Sequence, residues 1–319
     1  MKNFFVNELI VGEEITDFFL VKSIQIKTGS NGKQFLDLQL GDKTGELFAK
    51  KWDIAESEVD GIGRIKIGSI IKVKATVTEW NGAKQLRIVK IRGLGPEDPI
   101  QKEDFFKAAP ENADALLAYV EGAAHSISDP HYGAMALKII EDNRERLRYY
   151  PAAAKNHHAM YAGLLYHMKR MLLLAEKLCE VYTILNRDLL ITGVLFHDIE
   201  KLNEMHSDEN GVVSDYTFEG IMLGHLVQGV VLVDKLGEAL GVPKEKIIML
   251  EHMVISHHYE PDFGSPKRPM FPEAEALHYL DMIDSKIFDM EAALDGAIEG
   301  GFSERIRTLD NRRVYKREW

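Results

Sequence analysis

The chain has 319 residues, 45% hydrophobic and 28% charged, with a formal net charge of −11 at pH 7, a globular composition long enough for one large domain or two ordinary ones. Its one cysteine, Cys179, excludes an internal disulfide and a zinc finger, so the chain reads as cytoplasmic and any metal must sit on His and carboxylates. The start, MKNFFVNELIVGEE, reaches acidic residues before any apolar run of signal-peptide length, and no later run is read as approaching the roughly 18 apolar residues of a membrane span, so a soluble protein is expected.

Residues 1–94 carry 15 Lys/Arg against 12 Asp/Glu, or +3. Short β-rich runs alternate here with turn chemistry: FFLVKSIQIKT, Ser30-Asn31-Gly32, QFLDLQL, GDKTGE, LFAKKW, SIIKVKATVTEW, Asn81-Gly82 and AKQLRIVKI. Asn-Gly is a strong hairpin signal, and Ile71, Val73, Ala75 and Val77 alternate with Lys72, Lys74, Thr76 and Thr78, which buries one face and wets the other. Five or so strands in about 90 residues suit an OB-like β-barrel better than a sandwich, which needs roughly seven. The wet face holds Lys50, Lys51, Lys72, Lys74, Lys84, Arg87, Lys90 and Arg92, with Phe35, Trp52 and Trp80 as stacking platforms. Bases on aromatic rings and phosphates on cations are what a single-stranded nucleic acid requires. The structural alternative is a solvated strand face, with Trp52 and Trp80 filling the barrel.

GLGPEDPIQKEDFFKAAPEN follows, rich in Gly, Pro and charge, and residues 95–111 read as a linker. From residue 112 to 319 the periodicity becomes helical, through DALLAYVEGAAHSI, YGAMALKIIEDNRERL, HAMYAGLLYHMKRMLLLAEKLCEVY, RDLLITGVLFHD, FEGIMLGHLVQGVVLVDKLGEAL, PKEKIIMLEHMVISHH and PEAEALHYLDMIDSKIFDMEAAL. Asp188, Pro243 and Pro272 mark helix starts, and an all-α bundle of six or seven helices is expected. Residues 95–319 carry 24 Lys/Arg against 38 Asp/Glu, or −14, and all twelve histidines fall between His125 and His278.

Polar residues interrupt the apolar faces of successive helices. His167 follows GLLY, His197-Asp198 follows GVLF, His225 follows IMLG, His257-His258 follows MVIS and Asp281 follows LHYL. The steps of 30, 28, 32 and 24 residues are helix-plus-loop lengths, so inward groups on separate helices can meet in one core. A buried His or Asp without a partner is costly, and a shared metal ion removes that cost. Taken singly, each His is a hydrogen-bonded core residue; taken together they point to a metal site, with Asp198 able to bridge two ions. Ligands without thiolate favour Mn, Fe, Co, Ni or Zn over Ca.

His167, His197-Asp198 and Asp281 match the H…HD…D signature of the HD-domain metal-dependent phosphohydrolases. Within that superfamily the strings HHAMYAGLLYH, VLFHDIEKL, GIMLGHLVQG, VISHHYEPDFGSPKRP and PEAEALHYLDMIDSKI, behind an OB-like segment, resemble the YhaM-type 3′-5′ exoribonucleases. The resemblance runs from the first strands to about residue 290. It implies an OB-fold joined to an all-α HD-domain helical bundle, and Mn-dependent removal of nucleotides from the 3′ end of single-stranded RNA, often of ssDNA too. Carried over by position, it implies His167, His197, Asp198, His225, His257, His258 and Asp281 as the metal set, with Asp198 and Lys201 catalytic and Lys201 facing the scissile phosphate. One departure is Glu200, where the family pattern HDIGK has glycine; it either strains the turn or points to solvent, the second being preferred.

Further substrate contacts are assigned to His157 and His158, to Lys267 and Arg268 of the GSPKRP stretch, and to Trp52, Trp80, Lys72 and Lys74 of the first segment. The alternatives are a helix-terminus pair for the histidines and an ordinary basic turn for GSPKRP. His252, His278 and Asp284 read as supporting groups behind the ligands, and His125, His131 and His206 as surface or structural. Two ions, Mn before Fe, Co, Ni or Zn, would then drive in-line attack of water on a phosphodiester. The rival readings are an HD-domain hydrolase of nucleotides or cyclic dinucleotides and a nucleic-acid-binding protein with an inactive HD domain. Amphipathic helices early in the bundle leave a homo-oligomer open. The tail RIRTLDNRRVYKREW, with five Arg and one Lys, reads as a solvated end, with RNA contact the alternative.

Overall fold

The computed structural model describes residues 2–29, 32–52, 54, 56–101, 104–154 and 158–319, with the backbone alone at 56, 57, 59 and 60. Ser30 and Asn31 of the first expected turn lie outside the described residues. The chain divides into two compact units, residues 1–108 and 109–319.

The first unit is a closed barrel of β1 (Glu14–Thr28), β2 (Gln34–Asp42), β3 (Gly45–Lys51), β4 (Ile70–Trp80) and β5 (Ala83–Gly93), in the order β1-β2-β3-β5-β4, with α1 (Glu56–Gly63) between β3 and β4. This is an OB-fold. β1 pairs antiparallel with both β2 and β4, and the parallel pairing of β3 with β5, Phe48 opposite Gln85 and Lys50 opposite Arg87, completes the ring. Closure leaves no strand edge to aggregate. Period-2 alternation turns Ile15, Phe19, Val21, Leu36, Leu38, Leu40, Ile71, Val73, Ala75, Val77 and Leu86 into the barrel core. Asn81 (φ 49°) and Gly82 (φ 78°) make the two-residue turn between β4 and β5, both in the left-handed region that this turn demands.

Within the stretch expected to be a linker, Asp98, Phe105 and Phe106 are packed on the barrel. Asp98 forms a two-toothed ion pair with Arg92, at 2.6 and 2.8 Å, and Phe105 and Phe106 cluster with Phe18 and Leu20 of β1. The two phenylalanines bury apolar area that an extended linker would leave wet.

The second unit contains, among the described residues, α2 (Ala113–His125), α3 (Pro130–Leu147), α4 (Gly163–Val181), α5 (Arg187–Phe196), α6 (Lys201–Glu204), α7 (Phe218–Ala239), α8 (Lys244–Ser256) and α9 (Pro272–Asp295). It is not wholly helical: β6 (Met205–Ser207) and β7 (Val213–Tyr216) form a hairpin, two strands too short to leave a period-2 signal. Asn186, rather than Asp188, caps α5 by accepting from Leu189 N, while Pro243 and Pro272 open α8 and α9 as expected. α5 is the central helix, packed by α2, α3, α4, α8 and α9, with eight of its ten residues buried. Its apolar mantle is why the His197-Asp198 pair at its end lies inside the unit.

α7 corrects one expectation. An 18-residue window within its 22 residues has a mean hydropathy of 1.3, long and apolar enough by length and composition alone to cross a membrane, with 33% of the window buried. Phe218, Ile221, Met222 and Leu223 are exposed on its first turns.

Candidate metal centre

Five helices converge on Asp198. His167 comes from α4, His197 and Asp198 from the end of α5, His225 from α7, His257 and His258 from the end of α8 and Asp281 from α9. On one side, Asp198 Oδ2 lies 3.4 Å from His197 Nε2 and 3.8 Å from His167 Nε2. His167 Nε2 is in turn 3.3 Å from His197 Nε2 and 3.4 Å from Asp281 Oδ1. On the other side, Asp198 Oδ1 lies 3.4 Å from His225 Nε2 and 3.9 Å from His257 Nε2. Ligating atoms of Asp198, His225, His257 and His258 all fall within 4.8 Å of one another, as do those of His167, His197 and Asp198. The seven residues expected as ligands are brought together, in two groups that share the two oxygens of Asp198.

The imidazoles are oriented from behind. Nδ1 of His197 meets Val194 O at 2.8 Å, that of His257 Val254 O at 2.8 Å and that of His258 Phe263 O at 2.7 Å. Nδ1 of His167 meets Asp284 Oδ2 at 2.7 Å, and that of His225 meets Glu204 Oε1 at 2.9 Å. An Nδ1–H donated to such an acceptor fixes the tautomer in which Nε2 carries its lone pair, and the Nε2 atoms of His167, His197, His225 and His257 all lie within 4 Å of an Asp198 oxygen. Asp198 Oδ1, His225 Nε2 and His257 Nε2 are buried without a hydrogen-bond partner. Each such orphan costs on the order of 1–3 kcal/mol unless an electropositive partner meets it. Three lone-pair donors aimed at one point fit a divalent cation.

Most of the charges agree with that fit; His167 is the exception, because burial lowers it but Asp281 and Asp284 outweigh burial and push it up to about 9, so an ion there has a proton to displace. Burial would raise the Asp198 carboxyl, but Lys201 and the surrounding imidazoles hold it well below the usual carboxylate range. Burial pushes His257 well below its ordinary value and lowers His258, which favours neutral rings able to ligate. Lys201 Nζ donates to Asp198 Oδ2 at 2.6 Å; burial works against its charge, yet Asp198 lifts it above the ordinary lysine value.

Three supporting residues escape a reading of the sequence. Glu204 ends the four-residue α6, and its Oε1 takes both His225 Nδ1 and, at 3.0 Å, His225 N. This double grip relies on Gly224, whose φ of 67° and ψ of 162° break α7 and suit only glycine. Arg170 Nε holds Asp284 Oδ1 at 2.5 Å, behind His167. Asp284 and His278 are supporting groups as expected, His278 through a 2.7 Å contact of Nδ1 with His257 O, whereas His252 accepts from Met270 N.

Other expectations are corrected. His157 lies outside the described residues. His158 is fully buried, with Nε2 2.7 Å from Asp284 Oδ2 and its ring 4.0 Å from that of Phe288, so it braces Asp284 and is closed to a phosphate. Glu200 neither strains its turn nor points to solvent: its φ of −74° and ψ of −3° are ordinary, it is 9% exposed, and its carboxylate accepts from Asn203 Nδ2 at 2.9 Å. Arg268 pairs with Glu260 at 3.3 Å, and Lys267 is exposed, its charge acting on His252.

In the barrel unit, Trp52 and Trp80 are 45% and 66% exposed, so neither fills the core. They line a cleft of about 400 Å³ with Lys50, Thr78, Gln85, Leu86 and Arg87. Trp52 stacks on Phe35 at 4.4 Å. Lys72 and Lys74 stand outside this cleft, 3.9 Å from Asp98 and Glu14 respectively: the β4–β5 register sets them opposite Arg92 and Lys90, whereas the cleft opens further along β4, where Thr78 faces Gln85.

Comparison with known proteins adds a lineage. The HD domain family model matches residues 164–286. The 3′-5′ exoribonuclease YhaM of Geobacillus sp. (strain WCH70) is 39% identical over 307 residues, covering 96% of this chain and 93% of that protein. The 3′-5′ exoribonuclease YhaM of Bacillus subtilis (strain 168) is 36% identical over 307 residues, 96% of each. Among solved structures, the second OB-fold domain of replication protein A from Methanococcus maripaludis is similar at 18% identity and a TM-score of 0.24, over 31% of this chain and 98% of that one.

Proposed function

The chain belongs to the family of 3′-5′ exoribonucleases YhaM, and on that premise we propose that it removes nucleotides from the 3′ end of single-stranded RNA, with a pair of divalent ions held around Asp198. The observation that carries this reading is the pair of ligand groups on the two oxygens of one buried carboxylate, with three of their atoms buried without a hydrogen-bond partner.

His167, His197, Asp281 and Asp198 Oδ2 would hold one ion, and His225, His257, His258 and Asp198 Oδ1 the other, with Mn the first choice and Fe, Co, Ni or Zn alternatives. When bound, such ions supply the Lewis acidity that polarises a phosphodiester and lowers the pKa of an attacking water. Lys201 fixes Asp198 through one N–H and has two more to offer a phosphoryl oxygen, so its charge opposes the negative charge that builds up there. Glu204 and Asp284 keep the rings of His225 and His167 turned inward. Trp52 and Trp80 would stack bases while Lys50 and Arg87 meet phosphates, in a cleft whose features are indifferent to base identity. Those features suit single-stranded DNA as well.

The test is a time course of metal-stripped protein on a 5′-labelled single-stranded RNA, and on DNA of the same sequence, with and without Mn and beside Asp198→Ala. A ladder descending from the full-length strand that needs both Mn and Asp198 is expected. Intact RNA throughout, or faster hydrolysis of mononucleotides than of the strand, overturns the reading.

A further inference from the structure

The basic tail expected to be a solvated end is folded. Gly300 N donates to Lys316 O at 2.9 Å, Lys316 N to Gly301 O at 2.8 Å, Ser303 N to Val314 O at 2.8 Å and Ile306 N to Arg312 O at 3.0 Å, which closes a hairpin. The 3-10 turn Arg307–Leu309 lies at its tip, packs against α9 and buries Leu309 completely. A hairpin pinned in this way presents its other side chains at fixed positions.

Those side chains have one character. Arg305, Arg307, Arg312, Arg313 and Arg317 are all exposed, and among the described residues only Arg312 has a carboxylate at ion-pair distance, Asp310 at 3.6 Å. Residues 302–319 hold six Lys/Arg against three Asp/Glu, or +3, whereas residues 95–301 hold 18 against 35, or −17. Aromatic rings stand among the arginines. Phe302 and Tyr315 are 59% and 49% exposed with ring centroids 5.2 Å apart, Arg313 lies 5.9 Å from the Phe302 ring, and Arg317 lies 5.6 Å from that of Trp319. Guanidinium groups interleaved with exposed rings fit the phosphates and bases of a single strand.

We propose that the hairpin of residues 300–319 is a second contact for single-stranded RNA, with its arginines on backbone phosphates and its rings on bases. The inference rests on the exoribonuclease reading for the identity of the strand, though not on the chemistry at Asp198. By confining positive charge to one ordered hairpin, the acidic helical unit attracts the strand locally without neutralising its metal-binding carboxylates.

The test uses the full chain and a 20-nucleotide single-stranded RNA, with chelator present to keep the strand intact, and measures Kd against salt. Arg307 and Arg317 have no hydrogen bond within the hairpin, so Arg307→Gln/Arg317→Gln should leave it folded. The double variant should bind roughly tenfold more weakly at low salt, with a log Kd against log salt slope shallower by about 1.4, at roughly 0.7 per lost phosphate contact on a single strand. Arg307→Lys/Arg317→Lys should restore both, and hydrolysis of a dinucleotide should be unchanged in either variant. An unchanged slope in the Gln variant, with the parent binding RNA, overturns this inference and leaves the exoribonuclease reading standing. A parent chain that neither binds nor cuts RNA overturns both.

Discussion

Asp284 Oδ2 lies 2.7 Å from His167 Nδ1 and, at the same distance, from His158 Nε2, while Arg170 holds the other oxygen of that carboxylate. One buried acid thus ties the turn before α4, the first expected ligand and α9 into a single brace. Burial opposes its charge, but the two imidazoles that donate to it keep it ionised to far below the usual carboxylate range. Removing its charge while keeping its shape should therefore act through His167. Asp284→Asn should fold and bind RNA as the parent does, yet lose 10- to 100-fold in affinity for Mn, the range seen when a ligand's supporting partner is removed. Calorimetric Mn titration checks this; an unaltered affinity would mean that the brace serves the fold alone.

The two-ion reading makes a separate prediction at Glu204 and Gly224. Both act on His225, the carboxylate through its two hydrogen bonds and the glycine by allowing the break in α7. At Gly224 a Cβ would meet only Glu204 Oε1, at 3.7 Å, so alanine fails there through backbone strain of roughly 1–3 kcal/mol rather than through a clash. Glu204→Ala and Gly224→Ala should each weaken the group of His225, His257 and His258 and spare that of His167, His197 and Asp281. Bound metal counted by mass spectrometry of native protein should fall from two ions to one at limiting Mn. Loss of both ions together would contradict two separable groups.

What could be read in the sequence divides along physical lines. The barrel was legible because period-2 alternation and Asn-Gly chemistry are local, and the gathering of histidines around Asp198 because a histidine on an apolar helical face stands out wherever it occurs. Glu204 and Arg170 left no such mark: charged residues on short or amphipathic helices look like surface until the packing places them. His158 was misjudged for the same reason, since its burial depends on Phe288 and Asp284, some 130 positions away in sequence. That Lys50 and Arg87 flank the cleft of Trp52 and Trp80 depends on the parallel β3–β5 pairing, a long-range contact that no local pattern encodes.

His158 predicts an acid limb in the stability of the metal-free protein. Burial pushes its ring down to about 4 from an ordinary 6.5. Between those values the unfolded chain takes up a proton that the folded protein refuses, so stability is complete above pH 6.5 and is lost as the pH falls towards 4. The shift corresponds to on the order of 3 kcal/mol. His158→Gln keeps a donor towards Asp284 without a group that titrates. Thermal melting in chelator should show Tm falling more steeply between pH 6.5 and 4 in the parent than in the variant; parallel curves would assign the acid sensitivity elsewhere.

Glu200 occupies the position where the resemblance leads one to expect glycine, and its backbone makes no demand for one. With φ at −74° the turn needs no glycine, and the side chain is occupied by Asn203, whose Oδ1 in turn accepts from Arg146 Nη1 at 3.0 Å. The carboxylate is thus directed along this Arg146–Asn203 chain rather than onto Asp198, which Lys201 already holds. Glu200→Gly should cost the fold about 1 kcal/mol, from the extra freedom of glycine and the lost hydrogen bond. It should leave kcat and KM on single-stranded RNA within about twofold of the parent. A gain of tenfold or more in kcat/KM would show instead that the Glu200 charge repels the strand, and that this chain is an attenuated member of its family.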